Sequence, residues 1–376
     1  MKIGVMTFWW SNDNYGQLLQ CYALQKYLRG LGHDVFLIRY KTEAKQQLTE
    51  KIKNFAKIIL SVFIKRYRYL LDETKQIKLN DKQNISRCFD SFRCNYLSYT
   101  EKIYHSLDEL RNDPPDADAY IAGSDQVWGG NLYTSPYYLD FGKSIIKRLS
   151  YAASGNIPTD IQSFKKQLDK YTIVGVREKT LREMLISRGI SAYVNIDPTM
   201  LLRADEYPSD NPKMDKKYIF LYILNVLSKD EFYFDTIRRF AENKNIDVKI
   251  TYSSGTCAFR NFDTGFSNQL LTIPKWLGSI KCADYVVTTS FHGVVFCILN
   301  HKLFLAILLT NQWERGNRRI TDLLGTLGLS SRIYDVQKSF NEQINSPIDW
   351  KNVDVLLQKY RNESYDFLKR GLQYDI

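Results

Sequence analysis

"MKIGVMTFWWSNDNYGQLLQCYALQKYLRGLGHDVFLIR", residues 1–39, holds the fold decision in one stretch. Lys2 to Thr7 is an apolar run of strand length. Phe8 to Tyr15 is a loop that carries Asn12, Asp13 and Asn14, residue types that cap helices. From Gly16 to Gly30 the apolar residues Leu18, Leu19, Tyr22, Ala23 and Leu28 recur with helical spacing, and Gly30 or Gly32 ends the run. Val35 to Arg39 is a second short strand. Parallel strands need a crossover, and a helix supplies it, so strand, loop, helix, strand is the opening of a doubly wound α/β sheet.

The same pattern continues outward. Strands are predicted over Ala119–Ala122, Arg148–Ala152, Thr172–Val176 and Ala192–Ile196. Each ends in a polar or glycine-bearing turn: Gly123-Ser124-Asp125, Ala153-Ser154-Gly155, Arg177-Glu178 and Asp197-Pro198. In an open α/β sheet those ends share one edge, so their loops assemble a common site. The polar stretch "RADEYPSDNPKMDKK", Arg203 to Lys217, is the linker candidate. A second unit follows: Tyr218–Leu224, a helix from about Lys229 to Asn243, Val248–Tyr252, Tyr285–Thr289 and Leu303–Leu308. Val353 to Leu372 is a closing helix. The expected architecture is two Rossmann-like domains facing one another across a cleft, over residues 1–205 and 215–345, with a C-terminal helix over 346–376.

At 376 residues the chain is too long for one ordinary core and suits two domains. Its six cysteines form no CxxC pair, and reduced thiols in a cytosolic protein are the simplest expectation. No HExxH, P-loop or DxD-type pair is present, and the expectation is that no metal or other cofactor is required. A GxGxxG motif is absent, which argues against a dinucleotide. The start of the chain lacks the pattern of a signal peptide, and no apolar run reaches the roughly 18–20 residues of a membrane span. A formal net charge of +11 points to an anionic partner. No nucleic-acid motif accompanies it, so phosphorylated substrates or an anionic membrane face rank above nucleic acid. Glu50 to Asp72 reads as an amphipathic helix bearing Lys51, Lys53, Lys57, Lys65, Arg66 and Arg68. Such a helix either packs on its domain with its charges in water or lies on a membrane surface. The expected location is the cytoplasm, with the inner face of the cytoplasmic membrane as a second location if this segment binds lipid.

Four constellations can carry chemistry. In "TTSFHGVVF", Thr288 to Phe296, one of four histidines stands where a strand ends and a helix begins. Backbone N–H groups and the helix dipole favour an anion there. Ser290 offers a hydroxyl, Gly293 allows close backbone approach, and His292 can donate a hydrogen bond or a proton. The alternative is a packed histidine bonded to backbone. Arg177, at the end of its strand, can grip a carboxylate or phosphate with two parallel bonds, or pair with Glu178. In "AGSDQVW", Gly123 allows a tight turn and the amides beyond it can form an anion nest, and Gly123, Ser124 and Gln126 are expected to contact the acceptor. There Asp125 can accept a proton from a sugar hydroxyl and Trp128 can stack on a sugar ring. The alternative is a turn with a core tryptophan. Asn12, Asp13 and Asn14 can bond sugar hydroxyls or simply cap the first helix.

Together these stretches resemble the polysaccharide pyruvyl transferase family. "NYGQLLQCYALQ", "AYIAGSDQVW", "SYAASGN", "VGVRE", "IDPTMLL" and "VTTSFHGVVFCILNHK" occur in the expected order over most of the chain. The resemblance implies a fold similar to the two-domain glycosyltransferase type B architecture. It implies transfer of the enolpyruvyl group of phosphoenolpyruvate (PEP) onto two sugar hydroxyls as a cyclic ketal, in surface or capsular polysaccharide biosynthesis. It places PEP on Arg177 and His292, the donor side on the second domain and the acceptor side on the first. His292 is then the leading acid and Asp125 the leading base. Some members carry an Arg two residues before the His, where this chain has Ser290. The phosphate grip then falls to Arg177, backbone amides or a further cation, with Arg315, Arg318 and Arg319 as candidates and Arg319 preferred. The acceptor expected is a lipid-linked or nucleotide-linked sugar. The competing expectation is a nucleotide-sugar-dependent glycosyltransferase of the same architecture, with Glu314 on the ribose. A third is a non-catalytic sugar-binding protein.

Overall fold

The structure, a computed structural model, describes residues 1–41, 84–129, 135–155, 160–210, 216–226, 231–253, 265–266, 269–311 and 313–372. The basic segment from Glu50 to Asp72 lies outside them. Among the described residues no helix is long and apolar enough to cross a membrane.

The first unit is a parallel sheet. Its strands are β1 (Lys2–Met6), β2 (Asp34–Leu37), β3 (Ala119–Ala122), β4 (Asp125–Trp128), β5 (Lys147–Gly155), β6 (Ile173–Val176) and β7 (Tyr193–Val194). They lie in the order β2-β1-β3-β5-β6-β7, with β4 pairing β5 beyond the end of β3. The second unit is a parallel sheet of β8 (Tyr218–Ile223), β9 (Asp247–Tyr252), β10 (Tyr285–Thr288) and β11 (Leu303–Ala306), in the order β11-β10-β8-β9. Strand order reverses between β1 and β3 in one sheet and between β8 and β10 in the other, and ligands of open α/β sheets bind at such switch points. Near these two points stand the amino ends of α1 (Tyr15–Gly30) and α8 (Phe291–Leu299).

Each of those helices starts on a side-chain cap. The Asn14 side chain accepts from Gln17 N–H, and Ser290 Oγ accepts from Gly293 N–H. The two helices then touch. A Cβ on Gly16 would fall 2.0 Å from His292 Nδ1, so only glycine lets them approach this closely. Tyr15 stacks on Trp276 of α7 (Ile273–Cys282) at 5.0 Å between centroids and donates to Leu271 O at 2.7 Å. Arg87 bridges the seam, donating to Tyr15 Oη at 2.5 Å and to Tyr252 O at 2.6 Å. One apolar cluster therefore runs through both units, from Ile3 and Leu19 to Trp276, Val286 and Phe296.

The closing helix, α11 (Trp350–Leu372), returns to the first unit. Arg361 donates to Met200 O and Leu202 O, and Phe367 packs against Tyr151 and Tyr193. Gly371 lies so close to Leu149 and Ile173 that a Cβ would meet them at 2.3 and 2.7 Å.

Two local expectations are corrected. Asp125, expected in the turn that ends β3, instead opens β4. Trp128 is not a sugar platform: it is 1% exposed and packs edge-on to Phe164 at 5.9 Å. Burying a ring of that size against the core outweighs leaving it in the cleft.

Candidate active site

The segments that follow β3, β6, β7 and β10, with one helix of the second unit, bring seven side chains together. Arg177 directly follows β6. Its Nη1 donates to Asp197 Oδ2 at 2.8 Å, its Nε to Glu178 Oε1 at 3.2 Å, and its Nη2 stands 3.6 Å from Asp125 Oδ1. The guanidinium lies over the Phe291 ring, 4.7 Å from its centroid. From the second unit, Arg319 on α9 (Asn317–Thr326) places Nη1 3.8 Å from the same Asp125 oxygen. His292 Nε2 stands 3.7 Å from Asp197 Oδ2, an ion-pair distance too long for a direct hydrogen bond.

Asp197 is the hub. It follows β7 and caps the short 3-10 turn Pro198–Met200. Its Oδ1 accepts from Thr199 N–H at 3.0 Å and from Thr199 Oγ1 at 2.6 Å, while Oδ2 faces Arg177 and His292. Its side chain is fully buried. Burial alone would raise its pKa, but His292, Arg177 and Thr199 outweigh it and hold the carboxyl well below the ordinary carboxylate range. For Arg177 burial pulls the other way, and Glu178, Asp197 and Asp125 more than offset it, so the guanidinium is held firmly charged. Burial, and then repulsion from Arg177, pulls the pKa of Arg319 down. Two neighbouring guanidiniums of that kind favour an anion between them.

Two buried donors in this cluster, Arg177 Nη2 and His292 Nε2, have no hydrogen-bond partner among the described residues. They come from opposite units and flank Asp197. Buried polar groups are nearly always paired, so each needs an explanation. Beside them is a cavity of about 50 Å³ lined by Arg177, Asp197, Phe291, Arg319, Lys179 and Asp322, room for one or two waters. Asp322 in turn accepts from Thr180 Oγ1 at 3.3 Å, a contact between the two units.

The other residues singled out from sequence stand as follows. Gly293 lets α8 close onto β10, since a Cβ there would meet Thr288 Oγ1 at 2.4 Å. Ser290 caps α8 with its hydroxyl. Gly123 has φ +114° and lies against Tyr151 O, where a Cβ would sit at 2.3 Å. Ser124 is buried and donates to Gln20 Oε1 at 3.0 Å, while Gln126 is exposed. Asn12 accepts from Arg93 at 2.6 Å, Asn14 caps α1, and Asp13 accepts from Ser253 through its carbonyl at 2.8 Å. These loop residues are committed to capping and to the seam. Asp125 is clamped between two guanidiniums, which makes it their orienting partner more than a free base. Arg315 and Arg318 enter no contact with the cluster among those the structure shows. Sequence reasoning gave Asp197 no role, although its place at a strand end before Pro198 was a usable signal. Phe291 went unassigned because an aromatic beside a histidine reads as core.

Comparison with known proteins adds the following. A family model described as polysaccharide pyruvyl transferase matches residues 14–310. No curated protein matches the chain. Among solved structures, UDP-GlcNAc 2-epimerase from Neisseria meningitidis bound to UDP-GlcNAc is similar over 100% of both chains, with 11% identity and a TM-score of 0.52. UDP-GlcNAc 2-epimerase from Methanocaldococcus jannaschii in complex with UDP-GlcNAc and UDP is similar over 97% of this chain and 100% of that one, with 12% identity and a TM-score of 0.51. At such identity the likeness concerns the fold alone, and it is the glycosyltransferase type B-like fold that the family resemblance implied.

Proposed function

The chain belongs to the polysaccharide pyruvyl transferase family, and from that premise we propose that it transfers the enolpyruvyl group of PEP to two hydroxyls of one sugar. The observation that carries the donor is the pair of unpartnered buried donors, Arg177 Nη2 and His292 Nε2. PEP presents carboxylate and phosphate oxygens, which accept charge-assisted hydrogen bonds from such groups. Arg319 supplies the second guanidinium and takes over from the arginine that Ser290 replaces. Asp125, Glu178 and Asp197 hold the cations in place before substrate arrives, so little reorganisation is needed on binding.

The chemistry then balances as follows. His292 delivers a proton to the methylene carbon of PEP, and the enol carbon becomes an oxocarbenium-like centre. One sugar hydroxyl adds to that carbon and gives up its proton to a base. The C–O bond to phosphate breaks, regenerating the cationic centre. The second hydroxyl adds, loses its proton and closes the ketal, leaving a methyl group and inorganic phosphate. Asp197 stays ionised throughout and holds both Arg177 and the imidazole. No step needs a metal. The acceptor is a lipid-linked or nucleotide-linked sugar on the cytoplasmic side, a reading supported by the net charge of +11.

Arg177→Lys tests the donor assignment. Lysine keeps the charge that the three carboxylates require but loses the planar fork and its free Nη2 donor. PEP binding is expected to weaken by roughly 1.5–3 kcal/mol, the scale of a charge-assisted bond. Titration calorimetry on a variant that melts like the wild type checks it, and an unchanged dissociation constant would move PEP elsewhere.

A further inference from the structure

A trough of about 410 Å³ runs along the free edge of the first sheet, beside β7. One wall is α5 (Lys179–Ile186), the other is α11. On α5 the lining residues are Lys179, Arg182 and Glu183, three and four positions apart and so on one face. On α11 they include Tyr360, Glu363, Phe367 and Arg370, again on one face. Tyr193 forms the floor, 38% exposed, with the Arg370 guanidinium 4.8 Å from its ring centroid. Lys179, Val194, Asn195 and Tyr360 line this trough and also the small cavity beside Arg177. The trough thus ends where the charged cluster begins.

Its charge is balanced. Lys179, Arg182 and Arg370 stand against Glu183, Glu363 and Asp366. A phosphate or carboxylate gains nothing from such a lining. A neutral polyhydroxyl ligand does, because both signs hydrogen-bond hydroxyls and the tyrosine rings offer flat amphipathic surfaces. The volume lies within the range of small-molecule sites.

A second observation points to a ligand. Asn195 is 1% exposed, yet neither its Nδ2 nor its Oδ1 has a hydrogen-bond partner among the described residues. A buried amide is normally satisfied. The space it occupies exists because residue 175 is glycine: a Cβ there would fall 1.9 Å from Asn195 Oδ1. An amide donates and accepts side by side, which matches a sugar hydroxyl.

We infer that the trough binds the neutral sugar units of the acceptor that neighbour the one being modified, with Asn195 contacting a hydroxyl where trough and cluster meet. The word acceptor rests on the pyruvyl-transfer reading; the carbohydrate site itself does not.

The test uses the full chain and a panel of neutral disaccharides containing galactose, glucose, mannose or N-acetylglucosamine, followed by saturation-transfer NMR and titration. Two variants are compared. Asn195→Leu removes a side-chain amide that bonds nothing among the described residues and should melt at or above the wild-type temperature. Tyr193→Ala truncates an exposed ring. At least one disaccharide should bind the wild type, and each variant should weaken it roughly 3- to 10-fold, the scale of one lost neutral hydrogen bond or ring contact. PEP-induced stabilisation should be the same in the Tyr193→Ala protein as in the wild type. The inference is overturned if no disaccharide binds, if both variants bind it as well as the wild type does, or if inorganic phosphate displaces it. Loss of PEP response in both variants would also overturn it, by assigning these residues to the donor. A wild type that binds disaccharide but not PEP would keep the trough and remove the donor reading.

Discussion

Asp197→Ala is expected to destabilise the folded protein by roughly 3–5 kcal/mol, the scale of removing one partner from a buried ion pair. The carboxylate is fully buried and shared by Arg177 Nη1, at 2.8 Å, and by the two Thr199 donors. Removing it leaves the guanidinium short of its closest bond and orphans the N–H of the turn. The loss should depend on pH. The folded-state pKa of Asp197 lies below its unfolded value, so its contribution is fully present above about pH 4 and fades as pH falls further. The gap between wild type and variant in urea melts should be widest near neutrality and shrink on acidification. A gap under about 1 kcal/mol at neutral pH, set against the buried-pair scale, would show that Arg177 is held by Glu178 and Asp125 alone.

His292→Asn carries the second large effect. Asparagine keeps a donor of similar reach and can still occupy the pocket that Gly16 and Gly293 leave for residue 292. It cannot deliver a proton. Turnover with PEP is expected to fall roughly 100-fold or more, the scale of general acid–base catalysis, with PEP affinity little changed. His292→Ala should lose affinity as well, because it also removes the Nε2 donor. Near-normal turnover in a folded asparagine variant would reduce His292 to a hydrogen-bond donor and place the acid elsewhere in the cleft.

Much of the fold was legible in the sequence because period and punctuation agreed. Ala119–Ala122 is apolar throughout and ends at Gly123, as a doubly buried parallel strand should, and it forms β3 with those limits. The β1–α1–β2 opening was equally plain, since Asn14 and Gly30 mark the helix ends. What stayed hidden depends on partners distant in the chain. Asp125 to Trp128 becomes a strand only because β5 is long enough to pair with it after β3 has stopped. α7 went unassigned although Thr272 and Pro274 announce its start. That α11 returns to the first unit is written in Gly371 and Phe367, which acquire meaning only against Leu149 and Tyr151. In the site, the strand-end rule led to Arg177 and His292, which the fold brings to either side of Asp197. The rule could not say which neighbouring carboxylate would be buried with them, because that depends on the register of β6 against β7.

PEP-dependent transfer is tested by a thermal-stability titration of the full chain with PEP and, separately, with UDP-GlcNAc. PEP at 100 times its dissociation constant should stabilise the wild type by about 2.7 kcal/mol, and the Arg177→Lys protein should need a markedly higher concentration for the same shift. UDP-GlcNAc should leave the unfolding transition where it was. Stabilisation by UDP-GlcNAc with no response to PEP would contradict the PEP-dependent transfer proposed here and favour a nucleotide-sugar enzyme built on the same fold.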